Sequence, residues 1–109
     1  MEIYFQRILL NKCKLVENKY MNSGKIDITL KEILLSIGRK IKEEREKQGY
    51  ILEDMDALCD IDPSAFSKIE RGVYDNITLK TLVRISIGLQ LKTFDVFGIT
   101  FSLDDFIED

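Results

Sequence analysis

The sequence has a single proline, Pro63, and it opens a stretch, DIDPSAFSKIERG (residues 60–72), in which both ends of one short helix are specified. Asp62 suits an N-cap, Pro63 suits the first helical position, where a missing N–H costs nothing, and Gly72 suits a left-handed stop. Between them Phe66 and Ile69 share one face, leaving Ser64, Ser67, Lys68 and Arg71 on the other. Upstream, Met55 and Leu58 mark the inward side of another helix over about 52–59, with Glu53 and Asp54 in its first turn, the sign the helix dipole favours. The link CDID is too short for the two helices to lie antiparallel, so they must cross steeply.

The flanking segments read as more helix. From Thr29 onward, Leu30, Ile33, Leu34, Ile37 and Ile41 fall on one face, with Thr29 and Glu32 spaced as a capping box and Gly49 as the end. After the loop VYDNI, Thr78 caps a further helix that buries Leu79, Leu82, Val83 and Ile85, with Leu89 and Leu91 closing it. TFDVF (93–97) reads as a fifth short helix, and Ser102 with Asp105 as the cap of a last turn. Phe5, Leu9, Cys13 and Val16 favour a helix within residues 1–20, although EIYF could equally begin a strand. MNSGK (21–25) is turn-like; its end resembles a phosphate-binding loop, but Lys19 stands where that loop needs its first glycine. The expected fold class is all-α: five helices over residues 29–97, an N-terminal extension (1–28) and an acidic C-terminal extension (98–109).

Chain chemistry removes several functions. With no histidine, two cysteines 46 positions apart and no nucleophile at useful spacing from a base, neither a metal centre nor a catalytic site is expected, and no cofactor. Both cysteines read as reduced, Cys59 as a small core residue. No apolar run approaches the roughly 18 residues that span a bilayer, and a cytoplasmic, non-membrane protein without an evident small-molecule ligand is expected. The net charge of −3 excludes a broad cationic coat. The charge is segregated, however: residues 38–49 carry +2 and 63–92 carry +3, whereas 50–62 and 93–109 each carry −5. Such segregation is compatible with a local phosphate-binding face.

The pieces IGRKIKEEREKQG, LEDMDALCDIDPSAFSKIERG and NITLKTLVRISIGLQLKTFDVF run without a gap through residues 37–97, about 61 of the 109. In them the chain resembles the Cro/repressor-type, or xenobiotic-response-element, family of helix-turn-helix domains. The resemblance implies a recognition helix over about 63–71 that enters the DNA major groove, braced by the helix before it. It implies an ion pair between Arg45 and Glu70, which on the residues alone could be two unrelated surface charges. It implies groove-facing roles for Pro63, Ser64, Ser67 and Lys68, and places near the sugar-phosphate backbone for Arg71, Asn76 and Lys80.

The departures bear on function. The family opens its second helix with Ser-Gln, which caps and holds a phosphate; Ile51 and Leu52 do neither. Asp56 replaces a small alanine at a position that packs against the recognition helix, and Asp60 replaces the turn glycine. Lys68 alone can pair a guanine edge, so direct base readout is thin. The expected function is a sequence-specific transcriptional regulator, as a homodimer on double-stranded DNA. The alternative is a repressor-fold interaction module, antitoxin-like or an accessory regulator, with weak or no DNA binding. Phe94, Phe97, Phe101 and Phe106 are candidate dimer contacts, or else a C-terminal segment packed over its own core.

Overall fold

A computed structural model describes residues 23–107. The readings placed on residues 1–20, Cys13 among them, lie outside that range. The chain divides into two compact units, residues 1–30 and 31–109. The described part of the first is the opening of helix α1 (Ser23–Lys47); all the packing below belongs to the second. After α1 come α2 (Leu52–Cys59), α3 (Pro63–Glu70), α4 (Leu79–Gly88), strands β1 (Thr93–Val96) and β2 (Ile99–Ser102), and a 3-10 turn (Asp104–Phe106).

Helix α1 begins at least six residues before the expected cap. Thr29 is internal, and its hydroxyl donates to the Lys25 carbonyl at 2.9 Å, the back-bond of a threonine within a helix. Ser23, Gly24 and Lys25 are therefore helix and not turn. The apolar face is also narrower than its periodicity suggests: Leu34 and Ile41 are buried and Ile37 half-buried, but Leu30 and Ile33 are exposed. Leu58 and Leu79, both expected to face inward, are exposed as well.

The core joins Ile41 of α1, Met55 and Cys59 of α2, Phe66 and Ile69 of α3, and Ile85 and Leu89 at α4, with Ile61 from the α2–α3 turn. Met55 and Phe66 are wholly buried; each contributes about 1.5–3 kcal/mol through the apolar surface removed from water. Two glycines permit close crossings. A Cβ on Gly38 would run into the Ile69 and Glu70 carbonyls, and one on Gly88 would run into the Cys59 sulfur. Helices α1, α3 and α4 each end in a Schellman motif, closed at Gly49, Gly72 and Gln90, all with positive φ. The Gln48 amide donates to the Leu89 carbonyl at 2.6 Å and ties the ends of α1 and α4 together.

The expected fifth helix is a β-hairpin, so the domain is mostly helical with a small sheet and is not all-α. Strand β1 pairs antiparallel with β2, Val96 opposite Ile99 and Phe94 opposite Phe101. The two-residue connection is Phe97-Gly98, with φ of +51° and +75°. Both central residues at positive φ make a type I′ turn, whose twist matches the strands. Phe94, Val96, Ile99 and Phe101 fall on one face and Thr93, Asp95, Thr100 and Ser102 on the other. That period-two pattern becomes visible only when both strands are read together. Beyond it, the Ser102 hydroxyl accepts from the Asp104 N–H at 3.3 Å, so the serine does support the final turn, but from the end of a strand.

Candidate nucleic-acid interface

The α2–α3 turn is built by three aspartates. Asp60 ends α2 in the left-handed region (φ +58°, ψ +45°), the conformation expected of the glycine it replaces, and its N–H donates to the Asp56 carbonyl at 2.9 Å. Asp62 caps α3, its carboxylate accepting from the Ser64 and Ala65 N–H groups at 3.0 and 3.4 Å. At the start of α2, Ile51 has no side-chain acceptor, and only half of a capping box remains: Asp54 accepts the Ile51 N–H at 2.8 Å. The Asp56 side chain is exposed and meets no cation on α3; Met55 and Cys59 supply the packing there.

One side of α3 is thus fixed in the core by Phe66 and Ile69, and its C-terminal end is held by α1. Arg45 forms a two-pronged contact with Glu70, Nε to Oε2 at 2.7 Å and Nη2 to Oε1 at 3.0 Å, while its Nη1 donates to the Tyr50 carbonyl at 2.8 Å. Their side chains are only 11% and 6% exposed. The hydrogen bond to Glu70 holds the Arg45 guanidinium above its ordinary pKa despite the opposing effect of burial. The close approach at Gly38 lies against the same end of α3, so two independent contacts set its direction.

The other side of α3 is open. Ser64, Lys68 and Arg71 are exposed, and Pro63 and Ser67 half-buried. Lys68 takes part in none of the ion pairs among the described residues, whereas the Arg71 Nε folds back to the Ser67 carbonyl at 3.4 Å. Asn76 and Lys80 are exposed after the loop. Tyr74 and Val73, also exposed directly beyond α3, were not singled out from the sequence. The only signal for them was two large side chains in a loop otherwise made of turn formers. Cys59 is a buried free thiol, and burial pushes its pKa up to about 11, so it is an inert packing group. Among the described residues no group of side chains is arranged to hold a metal ion, and no helix is long and apolar enough to cross a membrane.

Two short helices at a steep turn, with the second presenting an open polar face, are what the Cro/C1-type helix-turn-helix family model describes, and it matches residues 41–97. The chain belongs to that family. Helix-turn-helix proteins of this type include the transcriptional regulator SlrR of Bacillus subtilis (strain 168), to which the chain is 33% identical over 61 residues. The match covers 56% of this chain and 40% of SlrR, so the chain accounts for less than half of that protein's length. No solved structure matches. Membership in this family supports a DNA-binding regulator.

Proposed function

We propose that the protein is a sequence-specific transcriptional regulator that binds double-stranded DNA as a homodimer, each copy laying α3 in the major groove. The observation that carries this reading is the Arg45–Glu70–Tyr50 arrangement, which holds α3 rigidly to α1 while Ser64 and Lys68 stay exposed. Pro63, Ser64, Ser67 and Lys68 would face the bases, with Lys68 pairing a guanine edge, a contact worth about 1–3 kcal/mol of discrimination. Arg71, Asn76 and Lys80 would meet the backbone, and Tyr74 joins them from the loop.

A second reading is favoured by one feature. The entrance of α2, which braces the duplex in this fold, presents Ile51 at 58% exposure and the exposed acids Glu53 and Asp56. Such a surface neither donates to phosphate nor attracts it, which suits a protein-interaction module. Selection from random duplex DNA at low and at physiological salt separates the two. A two-fold symmetric motif with half-sites near one helical turn apart is the expected result. No enrichment at either salt, with folded protein, would overturn DNA reading in favour of the interaction module.

A further inference from the structure

A groove of about 450 Å3 lies on the face built by α1, α4 and β1. Ile37, Ile41, Leu79, Leu82 and Phe94 line it, with Lys40 at its α1 side. No residue of α2 or α3 contributes, so filling the groove leaves the helix-turn-helix surface open. Its only hydroxyl, on Ser86, is turned back to the Leu82 carbonyl at 2.9 Å. The size is within the range of sites that enclose an aromatic ligand, and nothing polar inside asks for a partner.

Next to the groove stands a side chain of matching character. Phe97, at the tip of the hairpin, is 100% exposed and occupies a positive-φ position that asparagine or glycine would fill more easily. Strand β2 is exposed along its length, Ile99 and Phe101 included, and leaves a sheet edge unpaired. We propose that the groove receives Phe97 from a second copy of this chain, reciprocally, in a two-fold dimer. This deepens the homodimer of the proposed function and rests on it.

Charge supports a second copy as the occupant. Residues 93–107 carry Asp95, Asp104 and Asp105 with no lysine or arginine, whereas α4 carries Lys80 and Arg84 with no acid. The α1 residues of this unit are net basic too. An acidic hairpin therefore enters between basic helices, twice, by symmetry. Area agrees. Each buried aromatic ring removes roughly 150–250 Å2 from water. Two rings, the walls they cover and the flanking Ile99 and Phe101 bring the pair towards the ~1,200 Å2 at which stable interfaces begin.

The test is sedimentation equilibrium of the full chain, wild type beside Phe97→Asn and Leu79→Glu. Neither change threatens the fold. Asparagine suits the turn better than phenylalanine does, and Leu79, 56% exposed at the first position of α4, tolerates an acid beside the helix N-terminus. Circular dichroism of each variant verifies this. The wild type is expected to dimerise at micromolar concentration, and each variant to raise the dimer dissociation constant at least about tenfold. A wild-type dimer that neither variant weakens would overturn this interface while leaving dimerisation intact. Weakening by Phe97→Asn alone would overturn the groove as the receptor. A wild type that stays monomeric at high micromolar concentration would overturn the homodimer itself and assign the groove to another polypeptide.

Discussion

Two exposed cations on α3 are expected to do different work. Lys68 sits where a base edge can be reached, and Arg71 is at the helix end, folded onto the Ser67 carbonyl. Lys68→Ala is expected to flatten sequence preference, reducing the ratio of specific to non-specific affinity by the roughly 1–3 kcal/mol that one good base contact supplies. Arg71→Ala is expected to weaken every sequence alike. Binding titrations on matched and scrambled duplexes tell the two apart, and wild-type behaviour in both variants would mean that another surface contacts DNA. Arg45 belongs to stability. Its removal strands Glu70 and the Tyr50 carbonyl at a largely buried site, an expected loss of about 3 kcal/mol in urea unfolding. Cys59 has a pH signature. Its folded pKa is raised from 9.0 to about 11 by burial, so the unfolded chain gives up the proton first as the solution becomes alkaline. The stability it contributes is complete below about pH 9 and is lost as pH rises towards about 11. The stability advantage of wild type over Cys59→Ala is therefore expected to shrink across that window, read by denaturant unfolding at stepped pH.

At the scale of elements, the weakest end is the start of α2. Ile51 occupies an N-cap position and offers no acceptor to the N–H groups of the first turn. Ile51→Ser restores one and is expected to stabilise the domain by about 1 kcal/mol, with a measurable rise in melting temperature. If the N-terminus of α2 also faces phosphate, the same change will tighten DNA binding. The elements differ in how much of them could be read from sequence. Helices α2 and α3 and the cap of α4 were legible because their signals are local: Asp62, Pro63, Gly72 and Thr78 each act within one turn. The start of α1 was not, because Thr29 and Glu32 have cap spacing whether or not the chain before them is already helical. The hairpin was missed for a different reason. Phe94 and Phe97 have helical spacing, and a turn usually announced by asparagine is here announced by Phe97-Gly98. At the candidate site, the identity and outward placement of Ser64, Lys68 and Arg71 follow from periodicity. The joining of Arg45 to Glu70 is a contact across 25 positions, which periodicity alone does not specify.

For the molecule as a whole, charge sets a limit on DNA affinity. The protein is acidic, and three candidate cations per copy, Lys68, Arg71 and Lys80, face outward near α3. A dimer using all of them would release counterions at up to six phosphates, giving a log–log salt slope no steeper than roughly −5. Titrations across a range of salt concentrations give that slope directly. A steeper value would require cations from outside the described residues to reach the duplex.

The contacts that aim α3 also bear on protein engineering. The helix takes its direction from Arg45 and from the close approach at Gly38, both on a helix that precedes the helix-turn-helix. Residues 52–72, transplanted onto a foreign scaffold, would keep their caps and their turn but lose the reference that orients them. The motif is not a portable cassette: the smallest unit that can be grafted with its aim intact must bring along its own stretch of α1.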